Sequence, residues 1–496
     1  MIARPVTMRV EKKIRKWAAQ PHQYQSSYFQ RLLTEGSNSV YGRSLGIEPG
    51  MDYQAFKDAV PLVDYEDLKP YVERIMAGEK DVLWPGAPNH LIMSSGTTSG
   101  KKYIPTNSEA MQAIIRGSTD AYCSYVARSR NFYVWDGKTL PLTGSPELTM
   151  MGKVPSARVS GLLNHFLPWY AKWNRVPSWK TNCIPDFEQK VAGILDEAIP
   201  SDVRAMTGLP VWINLLFKRM YERTGKKVID IWPHFTFMVY GGLQVDPYKA
   251  GLIDVIGKEI DFVEVYNASE GFFAFQDNFE GLGLLLHMQT NFFYEFIPAD
   301  EYRAGNVKRI PLTEVEVGVD YGLVLNSMSG LWGYNLGDVI RFTSTDPYRV
   351  EFVGRLAHFT SAFNEHIIQM EVERAIHQAI EVHGGMVTEF TVAPQIHPEE
   401  GAPYHEWFIE FEDLPGDLNA FRDKIDEVMQ AGNHLYRELV AAKAMSPLKI
   451  SVIKKGGILS YMKQIGKVGG QFKLPRLKND RSLADDLQPF VDHHVG

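Results

Sequence analysis

The amino-acid sequence predicts an α/β protein, with a large N-terminal α/β domain over residues 1–354 and a smaller C-terminal α+β domain over residues 355–496. Three observations carry this expectation. The chain has 496 residues, more than one hydrophobic core usually organises. Helical periodicity and short apolar strands alternate through its first part. After Gly354–Arg355 the pattern changes to a helix–strand–strand–helix–strand order with its own apolar faces.

The N-terminal ninety or so residues read mainly as helices, with Gln54–Ala59 and Tyr65–Met76 as candidates. An apolar run, Leu91–Met93, then enters a hydroxyl-rich loop and leaves through Tyr103–Ile104–Pro105, a short strand. Helices follow at Ser108–Tyr125 and Asp186–Ala198. Thr236–Tyr240 is an apolar strand ending in Gly241–Gly242, and Asp261–Tyr266 alternates into a polar turn, Asn267–Glu270. Further strands are read at Gly322–Ser327, Val339–Thr343 and Arg349–Val353. Beyond Arg355, Val372, Ile376, Ala379 and Ile380 share a helical face, and Gly384 is a plausible stop. Val387–Val392 and Trp407–Phe411 read as strands, Leu418–Met429 as a helix, and Leu448–Val452 as a closing strand. With the strand before Arg355 the order becomes β-α-β-β-α-β.

Composition narrows the function. Hydrophobic residues make up 45% and charged residues 22%, an ordinary globular balance. A net charge of −7 argues against nucleic acid as the main partner. Two cysteines, Cys123 and Cys183, cannot build a disulfide framework and fit a reducing cytosol. No run of about eighteen apolar residues suggests a transmembrane helix. The start, Met1–Pro5, lacks the apolar region of a signal peptide, so a cytoplasmic location is expected. Arg9–Trp17 forms a basic amphipathic pattern, read as packing on the main body rather than on a membrane.

The most informative segment is Ser94-Ser95-Gly96-Thr97-Thr98-Ser99-Gly100-Lys101-Lys102. Glycines let backbone N–H groups converge, hydroxyls add donors, and lysines add positive charge, which suits a polyphosphate. It is not a P-loop: three residues separate Gly96 from Gly100, and Lys102 stands where a hydroxyl should hold Mg²⁺. The turn after Tyr266 presents Ser269 and Glu270. It either places a hydroxyl by a phosphate and a carboxylate by Mg²⁺, or is a strand-end turn capping a helix. Asp338, in a Gly-Asp turn, either accepts ribose hydroxyls or is a turn aspartate. Arg355 either pairs with a nucleotide oxygen or bridges the domains. Lys454, Lys455, Lys463, Lys467, Lys473, Arg476, Lys478 and Arg481 lie in a Gly-rich stretch. It is either a solvated tail or a flexible basic segment that closes over an anion. The aromatic run from His165 to Trp179 reads as core or as an acyl or aryl pocket. The histidines show no metalloprotease spacing.

Taken in order, these motifs resemble those of adenylate-forming (ANL) enzymes. Within that superfamily the chain is similar to the GH3 family of acyl-acid amido synthetases, its bacterial members more than its plant ones. The resemblance rests on Ser94–Pro105, Tyr266-Asn267-Ala268-Ser269-Glu270-Gly271, Tyr334-Asn335-Leu336-Gly337-Asp338, Gly354-Arg355 and Gln471-Phe472-Lys473-Leu474-Pro475-Arg476. It implies an ATP- and Mg²⁺-dependent ligase that adenylates a small carboxylic acid and passes the acyl group to an amine, usually of an amino acid. By the same resemblance Ser94, Ser95, Gly96, Thr97, Thr98, Gly100 and Lys102 would hold phosphates. Gly241, Gly242 and Tyr266 would lie at the nucleotide, Ser269 at the α-phosphate, and Asp338 at the ribose. Glu270 would orient Mg²⁺, Arg355 would mark the hinge of a mobile C-terminal domain, and Lys473 would neutralise charge during adenylation. Plant members carry an acidic–Lys pair where this chain has Glu365–His366. His366 either takes over that lysine's place near the phosphates or merely starts a helix. Transfer to a thiol, of coenzyme A or a carrier protein, and a non-catalytic nucleotide-binding role are the alternatives. The acyl acid, the acceptor and the oligomeric state stay open.

Overall fold

A computed structural model describes residues 3–95, 101–303, 305–355, 359–360, 367–398, 400–467 and 473–496. The chain forms two compact units. The first comprises Met1–Thr207, His234–Gly242 and Asp261–Phe352; the second comprises Gly208–Pro233, Leu243–Ile260 and Val353–Gly496. These units differ from a single cut at 354/355, because two inner stretches group with the C-terminal residues. One of them holds the helix Asp246–Ile256, which lies so close to the strand Met386–Gln395 that a Cβ on Gly251 would stand 3.0 Å from Met386 Sδ.

The first unit is built on a sheet of eleven strands among the described residues. One side is parallel: Lys138–Pro141, Val203–Thr207, Phe237–Gly241 and Asp261–Asn267 run the same way. Direction reverses at the next strand, Phe272–Phe275, and the sheet continues antiparallel through Leu284–Leu286 to Tyr348–Arg355. The parallel strands are continuous apolar runs, as expected where both faces are covered: Phe237, Met238, Val239 and Tyr240 are all buried. In open α/β sheets ligands bind outside the carboxyl ends of the parallel strands. Those ends carry Gly241 and Tyr266.

Helices close this core with local signals of their own. Asn107 caps Ser108–Ser129 by accepting from Ala110 N at 2.8 Å, and Asp64 and Asp67 form a capping box on Tyr65–Met76. The N-terminal helix Ala3–Ala18 buries Ile14 and Trp17 and packs on Ser108–Ser129, the body-packing reading of its amphipathic pattern. Among the described residues no helix is long and apolar enough to cross a membrane. At Trp173, which is 78% exposed, the aromatic run is not core.

A separate four-stranded sheet, completed by Val154–Ala157 and Thr149–Met151, holds the hairpin of His90–Ser95 with Lys101–Thr106, which pairs Ser94 with Lys102 and Ser95 with Lys101. The hairpin carries the hydroxyl-rich loop at its tip. Gly96, Thr97, Thr98 and Gly100 of that loop, and His366, lie outside the described residues.

In the second unit, the sheet runs Met386–Gln395, Tyr404–Asp413, Lys449–Ile453, Val491–Val495. This corrects the β-α-β-β-α-β expectation. The strand before Arg355 belongs to the eleven-stranded sheet, where Val350 and Arg349 pair with Leu284 and Leu285. The fourth place is taken by Val491–Val495, whose Asp492, His493 and His494 hide its strand character from a hydropathy reading.

Candidate active site

Tyr266, next to last in the strand Asp261–Asn267, sets its ring against those of Phe273 and Phe352, at centroid distances of 5.1 and 5.6 Å. Its hydroxyl donates to Asp338 Oδ2 at 2.8 Å. Asp338 is only 3% exposed. The expected Gly-Asp turn is not a turn: Tyr334–Thr345 is one strand. Within it, Asn335 faces Val324 and Val339 faces Gly322, so Leu336, Gly337 and Asp338 stand opposite Leu323 alone. They form a β-bulge, a device that re-aims a side chain within a sheet. Gly337 supplies the left-handed backbone it needs, with φ of +81°.

The turn after Tyr266 leads into Phe272–Phe275, not into a helix, so no helix is capped there. Ala268 N donates to Gly271 O at 2.8 Å and closes it. Ser269 and Glu270 are half-buried in this turn. Tyr334 Oη donates to Glu270 Oε1 at 3.2 Å. Burial first, and the Glu270 charge second, push the Tyr334 phenol well above its usual range, so it stays a donor.

Backbone pairing draws the hairpin into the same region. Val63 bridges Tyr334: Val63 N donates to Gly333 O at 3.0 Å, and Asn335 N donates to Val63 O at 2.8 Å. Two residues on, the Tyr65 hydroxyl accepts from Tyr103 N at 2.9 Å, and the Lys102 ammonium lies 5.7 Å from the Tyr65 ring centroid. Burial raises the Tyr65 phenol as well. Tyr65 belongs to none of the sequence motifs; only the pairing of Val63 with Tyr334 brings it to this region. Gly241 ends the neighbouring parallel strand, where a Cβ would meet Val265 O at 2.4 Å. Gly242 follows with φ of +78°.

The first unit therefore gathers Ser94 and Lys102 of the hairpin, the Gly241–Gly242 strand end, Tyr266, Ser269, Glu270 and Asp338. Arg355 and Lys473 belong to the second unit. Arg355 ends its strand half-buried, and Lys473 is exposed. Among the described residues no cluster of three or more His, Cys, Asp or Glu side chains could cage a metal. A single carboxylate such as Glu270 suits Mg²⁺ when phosphate oxygens complete the shell.

Comparison with known proteins decides the family. Three family models match in chain order: the GH3 family N-terminal domain over residues 10–192, the central domain over 285–355, and the C-terminal domain over 370–482. The chain belongs to the GH3 family. A relative, jasmonoyl–L-amino acid synthetase JAR4 of Nicotiana attenuata, is 24% identical, with 93% of this chain and 92% of that one aligned. The probable indole-3-acetic acid-amido synthetase GH3.1 of Arabidopsis thaliana is 23% identical, over 94% and 91% of the two chains. Among solved structures, GH3.15 acyl acid amido synthetase superposes with a TM-score of 0.79 at 18% identity, over 97% and 95% of the chains. The 2-hydroxyisobutyryl-CoA ligase in its postadenylation state superposes at 0.61 and 14%, over 95% and 92%. The fold is thus that of the GH3 family, shared with the 2-hydroxyisobutyryl-CoA ligase.

Proposed function

We propose that this GH3 chain is an ATP-dependent acyl-acid amido synthetase acting on a small carboxylic acid and the amine of an amino acid. The observation that carries the reading is the pair of carboxylates oriented by buried phenols, Asp338 by Tyr266 and Glu270 by Tyr334, beside the hairpin that bears the hydroxyl-rich loop. In the first step a substrate carboxylate oxygen attacks the α-phosphorus of ATP, the α–β phosphoanhydride bond breaks, and pyrophosphate leaves. In the second the amine nitrogen attacks the acyl carbon, loses a proton, and AMP leaves with the former carboxylate oxygen.

Both steps depend on positioning and charge neutralisation. Asp338, held by Tyr266, accepts ribose hydroxyls in this reading, and the Tyr266 ring flanks the base. Ser94, Ser95, Gly96, Thr97, Thr98, Gly100 and Lys102 hold the phosphate chain, with Ser269 at the α-phosphate. Gly241 and Gly242 keep the strand end open for close approach of the nucleotide. Glu270, fixed by the Tyr334 hydroxyl, would hold Mg²⁺, which supplies positive charge to the phosphates. Lys473 offsets the charge that develops at the α-phosphate, and Arg355 marks the hinge of a mobile C-terminal domain beginning at 355. The free thiols Cys123 and Cys183 accord with a cytoplasmic setting.

Pyrophosphate exchange across a panel of carboxylic acids, followed by amide formation without any thiol, tests this reading. Lys473→Ala should slow exchange by about 10²–10³-fold while ATP binding is retained. Exchange that proceeds while products appear only with coenzyme A would favour a thioester ligase, and no exchange with any acid would refute an adenylating enzyme.

A further inference from the structure

The second unit contains a buried ionic cluster that the reaction as described does not use. Its centre is Arg476, 3% exposed and three residues beyond the exposed Lys473. The Arg476 guanidinium donates to the Glu389 carboxylate, to Phe390 O at 2.8 Å, to Glu373 Oε1 at 3.4 Å and to the Tyr248 hydroxyl. It also lies 4.4 Å from the centroid of the Phe390 ring. Tyr248, fully enclosed, donates to Glu389 Oε1 at 2.9 Å. Three elements thus converge on one side chain of the tail: the helix Asp246–Ile256, the helix Gln369–His383 and the strand Met386–Gln395.

The backbone around Arg476 is tied as firmly. Thr391 Oγ1 donates to Pro475 O at 2.6 Å, Val392 N donates to Arg476 O at 2.9 Å, and Lys478 N donates to Val392 O at 3.0 Å. Leu474 and Leu477 are buried on either side. The basic stretch is therefore not a loose tail here. It is tied at Pro475, Arg476 and Lys478, directly after Lys473. Burying a guanidinium among carboxylates gains little over an apolar filling, so such a cluster is better explained by the geometry it imposes. What it imposes here is the starting point of the Lys473 side chain. Burial raises the Glu373 carboxyl, and Lys473 adds a small opposing pull to the larger one of Arg476.

We propose that Arg476 is a positioning residue for adenylation, which, through Glu389, Glu373 and Tyr248, sets the place from which Lys473 reaches the α-phosphate. This rests on the role given to Lys473 above.

The test compares Arg476→Met, Tyr248→Phe, Lys473→Ala and the double variant Lys473→Ala/Arg476→Met. Each preparation is assayed twice, for carboxylate-dependent pyrophosphate exchange at saturating ATP and for turnover of supplied acyl-adenylate with amine. Arg476→Met should lower exchange by about 10²-fold, the scale of an ångström misplacement, with the aminolysis rate kept. A smaller folded fraction would lower both rates together and would overturn the proposal. The double variant should be no slower than Lys473→Ala alone, within about twofold, because one residue acts through the other. Additive losses overturn the proposal. Tyr248→Phe, which leaves the Arg476–Glu389 pair in place, should lower exchange in the same sense by a smaller factor; it decides the matter if Arg476→Met does not fold, and wild-type exchange in it then overturns the proposal. Normal exchange in Lys473→Ala refutes the Lys473 role itself. Slow exchange in Lys473→Ala with normal exchange in Arg476→Met refutes only the positioning role.

Discussion

The Tyr266 hydroxyl donates to Asp338 Oδ2 at 2.8 Å, joining the end of a parallel strand to a bulge in an antiparallel one. The bond crosses the sheet's change of direction and fixes a carboxylate that is almost wholly buried. Asp338→Ala should weaken ATP binding by about 1–3 kcal/mol, the cost of losing a charged hydrogen-bonding partner. Tyr266→Phe should cost less, and the double variant should lose less than the sum. Calorimetric Kd values check this; strictly additive losses would separate the two residues.

Glu270→Gln should raise the Mg²⁺ concentration needed for half-maximal pyrophosphate exchange by about tenfold or more, and Tyr334→Phe should raise it less. Because burial holds the Tyr334 phenol well above its ordinary range, the Tyr334→Phe effect should be constant from pH 6 to 9. Metal titrations at several pH values provide the readout.

Two glycines should fail in different ways. At Gly241 an added Cβ meets Val265 O at 2.4 Å, backbone that cannot step aside, so Gly241→Ala should destabilise by about 2–3 kcal/mol. At Gly337 no atom lies within 4 Å, and only the left-handed backbone resists, for about 1–2 kcal/mol. Gly337→Ala should instead show its damage in ATP affinity, because the bulge aims Asp338. Thermal denaturation paired with nucleotide titration separates the two.

Glu373 gives a pH signature. Burial raises its carboxyl above the ordinary 4.5, against the pull of Arg476. The folded state therefore binds this proton more tightly than the unfolded state. Between the unfolded and the raised folded pKa, stability falls as pH rises. Glu373→Gln removes that slope while keeping an acceptor for Gln369 and Arg476. The difference in Tm, variant minus wild type, should grow more positive from pH 4.5 upward. A pH-independent difference would place no titration at Glu373.

Much of this was legible from residue order. The hairpin exit, the Asp261–Asn267 strand and the Ser108–Ser129 helix all follow their apolar patterns and caps closely. What escaped was long-range. Leu336-Gly337-Asp338 looks like any turn until its partner strand shows that three residues face one. Tyr334 reveals its hydroxyl contact with Glu270 only after sixty-odd residues of chain return to it. Val491–Val495 is too polar to be read as a strand, yet Lys449–Ile453 gives it a partner. The grouping of Leu243–Ile260 with the C-terminal residues depends on Tyr248 and Gly251 touching a strand far away in sequence.

The stretch from Leu474 to Lys478 docks on the strand Met386–Gln395. Met386–Gln395 is the outermost strand of its four-stranded sheet, with its outer N–H and C=O groups facing away from the strand Tyr404–Asp413. Exposed edges of that kind invite pairing with other chains. By bonding Val392 on both its N–H and its C=O, the tail occupies the middle of that edge. The segment that carries the proposed catalytic lysine thereby also guards the sheet against self-association, so shortening the chain ahead of it would impair solubility along with activity.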